Sequence, residues 1–205
     1  MNDFLVNVEY PFGFVFKDNK IVKEVWLKNK LETFEYEFST EPLLVRFDEG
    51  NWLLKEVTFK KSLQELIYQA EHDDMIGRLT AINELRSYSI DESALKIWTK
   101  VATQDNFWAV RQAALENIGK YPGEKAIDLF KSCLSDKNSK VRVSAMRLLG
   151  DLRDPKLIKL FESIFRSENS YAVQAEALRA IGKCGGKHQM AFLKEAEATK
   201  SYRNV

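Results

Sequence analysis

The 205 residues include only two cysteines and two histidines, and neither sign of charge is in surplus. Each scarcity removes a class of function. Cys133 and Cys184 are too few for a disulfide scaffold and too few for a zinc cluster, so they read as free thiols. Lys and Arg number 31 against 30 Asp and Glu, a net charge of +1; a nucleic-acid partner, which calls for a concentrated basic excess to displace phosphate counterions, is therefore not expected. The apolar runs are a few residues long, far short of the roughly 20 needed to cross a bilayer, and no charged-then-apolar leader opens the chain. A soluble chain without a membrane partner is expected. Phosphate loops, dinucleotide fingerprints and Gly-x-Ser-x-Gly elbows are missing too, and Gly185-Gly186 lacks the strand-then-helix context that would make it one.

The first sixty residues alternate with period two. Ile21, Lys23, Val25 and Leu27 interleave with Val22, Glu24, Trp26 and Lys28, and Phe34, Tyr36 and Phe38 interleave with Thr33, Glu35 and Glu37. Such alternation predicts half-buried strands. Turn chemistry at Asp18-Asn19, Asn29, Pro42 and Gly50-Asn51 divides the segment into five or six of them, as in a small antiparallel β-sandwich with Trp26 and Trp52 in its core. The start at Phe4-Leu5-Val6, just after Met1, predicts a sheet truncated upstream.

From Ser62 the period changes to that of a helix. Ser62-Leu63-Gln64-Glu65 has the form of a capping box, and no Gly- or Pro-rich linker separates the helix it starts from the strands, so a rigid joint is expected. Beyond it a pattern repeats: Gly77-Arg78 and Ala81, Val110-Arg111 and Ala114, Val141-Arg142 and Ala145, then Val173 and Ala177, with the alanines 31 to 33 residues apart. A period of that size over helical spacing predicts stacked helix pairs, because no single pair buries its own apolar face. Each repeat supplies an A helix and a B helix, with breaks at Tyr121-Pro122-Gly123, Asp154-Pro155 and Gly185-Gly186. Trp98, Phe130, Phe161 and Leu193 share one B-helix column, and Ile127, Ile158 and Met190 another. Cys133 falls in the apolar column of Val101 and Ile164, which predicts a buried thiol. After Leu193 the pattern fades into a polar tail, as at the end of a solenoid.

With Asp105 before Val110-Arg111 and Asp136 before Val141-Arg142, the repeats resemble HEAT repeats. The Asp–Arg pairs are expected to pack neighbouring repeats together, more weakly at the ends, where Gly77 replaces valine and Glu168 and Gln174 replace the acid and the arginine. The fold class predicted is α+β and multidomain: an antiparallel β-sandwich over 1–61, then an α-α superhelix of HEAT-like repeats over 62–205, with a connecting helix at 62–72 and repeats at about 74–104, 105–136, 137–168 and 169–200.

A second resemblance rests on Pro42-Leu43-Leu44-Val45-Arg46-Phe47-Asp48, on Asn51-Trp52-Leu53-Leu54-Lys55-Glu56, and on the run Gln69, Asp73-Asp74, Arg78 and Ala81. These look like the region after the catalytic domain of aminopeptidase-N-like zinc metallopeptidases, the gluzincins. The resemblance implies a non-catalytic C-terminal portion that restricts access to the active site of an upstream catalytic domain, with zinc held there and peptide as substrate. The zinc-binding His-Glu-x-x-His helix of that family is not in this chain, whose His72 and His188 lie far apart and read as solvated, so no catalytic, cofactor or metal residue is assigned. Lys96, Lys125, Lys156 and Lys159 lie along B helices, the side lining the concave surface of HEAT-like solenoids, and are the candidate contacts for a substrate or partner. The alternative reading is a free-standing HEAT-repeat adaptor for protein–protein interaction.

Overall fold

The computed structural model describes residues 8–52, 57–89, 91–121 and 124–197. The strand start at Phe4-Leu5-Val6, the Leu53 to Glu56 part of the second resemblance, Pro122-Gly123 and the polar tail past Glu197 lie outside them.

Three strands, β1 (Val8–Val15), β2 (Lys20–Leu27) and β3 (Leu44–Phe47), form one antiparallel sheet in the order β2-β1-β3. Phe12 sits between Lys23 and Phe47 in register. This corrects the sandwich of five or six strands: no second sheet packs on this one among the described residues. Residues 34–38 join no ladder, and of their three aromatic residues only Tyr36 and Phe38 turn inward, Phe34 being 39% exposed. Instead they lie across the sheet, Tyr36 and Phe38 each packing on Phe14 with ring centroids 5.2 and 4.9 Å away. Aromatic burial, which strand pairing was expected to provide, is here provided by an extended cover. A single layer cannot enclose all its large residues, so Trp26 and Trp52, expected in a sandwich core, are 46% and 81% exposed. On β3, Leu44 and Arg46 are the buried alternates, and α1 packs against that strand.

The capping box forms as read. The Ser62 hydroxyl accepts the Glu65 backbone N–H at 3.2 Å, the Glu65 carboxylate accepts that of Ser62 at 2.9 Å, and α1 (Leu63–His72) follows. The A helices are α2 (Met75–Glu84), α4 (Trp108–Ile118), α6 (Ser139–Asp151) and α8 (Tyr171–Gly185), and the B helices α3 (Glu92–Gln104), α5 (Glu124–Cys133), α7 (Ile158–Ser167) and α9 (Met190–Glu197); each A helix packs on the helix that precedes it, α2 on α1, α4 on α3, α6 on α5 and α8 on α7, rather than on the one that follows. Asp154 caps the short 3-10 turn that leads into α7, with Pro155 at its first position.

One apolar core runs from Leu66 to Ala196. Ala81, Ala114, Ala145 and Ala177 are each 0% exposed, which is what a small residue recurring at a helix–helix contact requires. Gly150 belongs to the same crowded seam, since a Cβ there would meet the Cα and Cβ of Ala180 on α8. Trp98, Phe130 and Phe161 fill the B-helix column, all at most 1% exposed, and Met190 leaves its own column at 49% as the stack ends. The Trp98 indole N–H donates to the Ile82 carbonyl at 3.0 Å. Asn117, also fully buried, donates to that carbonyl at 2.9 Å and accepts from Arg86 at 2.6 Å, so each of its polar ends is satisfied.

Candidate functional site

The repeated acid and arginine form a ladder through the inter-repeat turns. Arg78, in the first turn of α2, grips both oxygens of Asp105 at 2.7 and 3.0 Å and donates its third edge to the Asp73 carbonyl at 3.0 Å. Arg111 does the same one repeat later, to Asp136 at 2.7 Å twice and to the Asp105 carbonyl at 2.8 Å. Arg142 holds Glu168 at 2.7 and 2.8 Å and the Asp136 carbonyl at 2.9 Å. Every acid also accepts a backbone N–H two residues on, from Phe107, Asn138 and Ser170, so it fastens the entry of the next A helix. Gln174 ends the ladder by donating to the Glu168 carbonyl at 2.8 Å.

The ladder does not weaken at its start, because the sheet supplies an extra rung. Arg46 of β3 donates to Asp73 at 2.5 Å and to Asp74 at 2.7 Å, and Asp74 in turn caps α2 through the Gly77 N–H at 2.7 Å. Arg46 thus stands where the arginine of a preceding repeat would. Gly77 follows from this: a side chain there would run into the Asp73 carboxylate that Arg46 holds. At the far end Glu168, one methylene longer than aspartate, still reaches Arg142.

Charge follows the geometry. Burial by itself would raise the Asp136 carboxyl, but Arg111 and the Asn138 N–H overcome it and hold it below its ordinary 3.8. Arg142 and backbone donors hold Glu168 below 4.5. Asp74 is lowered against its own burial by the Gly77 N–H and Arg46. Cys133 and Cys184 are buried, and burial pushes both thiols up, away from the reactive thiolate.

Along the B helices, Lys96 on α3, Lys125 on α5, Lys156 in the turn before α7 and Lys159 on α7 are all exposed. Lys96 pairs with Glu92 of its own helix at 3.1 Å, whereas Lys125, Lys156 and Lys159 make no ion pair among the described residues. Most other cations of both layers are paired: Arg78, Arg111, Arg142, Arg147, Arg179 and Lys183 on the A helices and Lys100, Lys131 and Arg166 on the B helices are tied to carboxylates, and Lys140 of α6 lies over the Trp108 ring, 4.1 Å from its centroid. His188 is exposed, and His72, also exposed, stacks on Tyr68 with centroids 4.6 Å apart, while its neighbour Glu71 is taken by Lys100 at 2.6 Å. Among the described residues, no three His, Cys, Asp or Glu side chains come together as metal ligands. No helix among them is long and apolar enough to cross a membrane.

A family model described as HEAT repeats matches residues 63–141 and 128–205. Among solved structures, the complex of CpcE and CpcF of phycocyanin lyase from Nostoc sp. PCC7120 holds a similar chain. Identity is 18%, the match covers 75% of this chain and 64% of that one, and the TM-score is 0.53, a likeness of fold. The crystal structure of an engineered protein follows at 19% identity, 64% of this chain, 66% of that one and a TM-score of 0.44. No curated protein matches the sequence. These findings overturn the resemblance to gluzincin aminopeptidases and leave its upstream catalytic domain without support: the family match is to HEAT repeats and the solved likeness is to a phycocyanin lyase chain. The residues that carried the resemblance have another use here, since Arg46, Asp73, Asp74 and Arg78 are the first rungs of the ladder.

Proposed function

The chain belongs to the HEAT-repeat family, and on that premise we propose that it is an adaptor that binds a protein partner along its B helices. Lys125, Lys156 and Lys159 are the contacts, with Lys96 at the edge of the row, and the partner presents acidic side chains to them. The observation that carries this reading is that three exposed lysines on successive elements of the B layer have no counter-charge of their own. The arginines of the ladder are spent inside the stack, while Lys125, Lys156 and Lys159 stay without an intramolecular counter-charge among the described residues. Held in register by the ladder, they offer a partner fixed spacing rather than scattered charge, and such charges act mainly on association rate and choice of partner. The relative from Nostoc was solved as a complex of two chains, and an association of that kind is what we carry over to this protein. In this reading the chain supplies a surface, and neither a catalytic residue nor a cofactor is assigned to it.

Affinity capture with the full chain and with a variant carrying Lys125→Glu, Lys156→Glu and Lys159→Glu tests the reading. The three sites are exposed, so the melting temperature should not change, while a partner retained by the unmodified chain should be lost from the variant and released by added salt. Equal retention by both proteins, or no specific partner for either, would sink the proposal.

A further inference from the structure

Away from the lysine row, β3, residues 57–61, α1 and α2 enclose a cleft of 320 Å³ at the joint of sheet and solenoid. Part of its wall is apolar, formed by Phe47, Phe59, Val57 and Ile76, the last two 42% and 48% exposed. The rest is polar and incompletely matched. Gln69 is 3% exposed; its side-chain N–H donates to Asp73 at 2.9 Å, but its Oε1 is buried without a hydrogen-bond partner. A buried carbonyl left so costs about 1–3 kcal/mol, which an N–H donor entering the cleft would recover. Lys61 has a side chain only 6% exposed, with Glu84 no nearer than 4.0 Å and the Phe59 ring 4.7 Å from its ammonium. Burial pulls its pKa down, and Glu84 only partly restores it. Arg46, also in the wall, is already engaged by Asp73 and Asp74. Glu49, Asp73, Asp74 and Glu84 surround these two cations, which disfavours an anionic occupant.

An unpaired acceptor and an underused donor in the wall of one cleft, beside exposed apolar side chains, define an occupant. We propose that the cleft binds an apolar peptide segment through a backbone carboxamide, whose N–H donates to Gln69 Oε1 and whose carbonyl accepts from Lys61 Nζ while its side chain lies against Val57 and Ile76. This site uses a surface separate from the B-helix lysines and stands or falls independently of them.

The test is a titration of the isotope-labelled full chain with N-acetyl-L-leucine amide, followed by two-dimensional amide NMR. The expected result is saturable shifts at the Gln69 side-chain amide and at Ile76, Gly77 and Thr80. The ester methyl 4-methylpentanoate keeps the apolar side chain and a carbonyl but has no N–H, and should bind about ten-fold more weakly. Gln69→Met should weaken the amide by a similar factor. Because Gln69 is buried and its variant could lose structure, Thr80→Trp provides a second check: Thr80 is an exposed lining residue, and the larger side chain should block entry. Shifts that do not saturate, equal binding of amide and ester, or unchanged binding in Thr80→Trp would overturn the assignment.

Discussion

Arg111 is 2% exposed, and all three edges of its guanidinium are occupied, two by Asp136 and one by the carbonyls of Asp105 and Asn106. Removing it leaves a carboxylate that is itself only 11% exposed without its counter-charge. Arg111→Ala should therefore cost about 3 kcal/mol at pH 7, the lower end for a broken buried pair. Arg166→Ala, whose pair with Glu195 is 58% and 62% exposed, should cost under about 1 kcal/mol. The pH dependence separates the two further. Asp136 and Glu168 titrate below their ordinary values when folded, so in acid the unfolded chain binds more protons than the folded one. Their contribution is complete above the ordinary carboxylate range and is lost as the pH falls through the lower folded values. Urea unfolding from about pH 6 down to about pH 3 should fall steeply for the unmodified chain and less steeply for Arg111→Ala, which no longer has the lowered carboxyl to lose. Parallel curves would show that the ladder does not hold the stack.

Among the elements, α2 and β3 are the pair that the repeat pattern alone would misjudge. Valine at position 77 would restore the pattern of Val110, Val141 and Val173, yet it would drive a side chain into the Asp73 carboxylate held by Arg46. Gly77→Val should destabilise the protein by about 1–3 kcal/mol, as overpacking does. In an Asp73→Ala background, where the obstructing carboxylate is gone, most of that cost should disappear; thermal melts of the four proteins measure the coupling. Additive losses would mean that the joint is not built this way. The example shows what the sequence made legible. The helices, the alanine seam, the capping box and the Asp154-Pro155 break could be read because each has a local spacing or a local cap. Arg46 could not, because its partners Asp73 and Asp74 lie 27 and 28 residues away and no periodicity links a strand residue to a repeat turn. Residues 34–38 misled for a related reason: alternation reports that one face is covered, and says nothing of whether a strand or a loop covers it.

In the whole molecule, the ladder starts on the sheet and ends at Gln174, so the turns that follow α3, α5 and α7 are referred back to β3 through one series of hydrogen bonds. Lys96, Lys125, Lys156 and Lys159 were nameable in advance from register, and the structure leaves them exposed. What they meet was not legible, since an exposed lysine looks the same in sequence whether it faces solvent or a partner. The gluzincin resemblance failed here: it rested on short structural runs such as Pro42 to Asp48, which mark local packing that unrelated proteins can share. The central claim, that the B-helix layer is the binding face, is tested most directly by hydrogen exchange on the full chain with and without its captured partner. The account predicts slowed exchange in α5, in the turn at Pro155–Leu157 and in α7, with α4, α6 and the sheet unchanged. Protection confined to the A helices or to the sheet would contradict it.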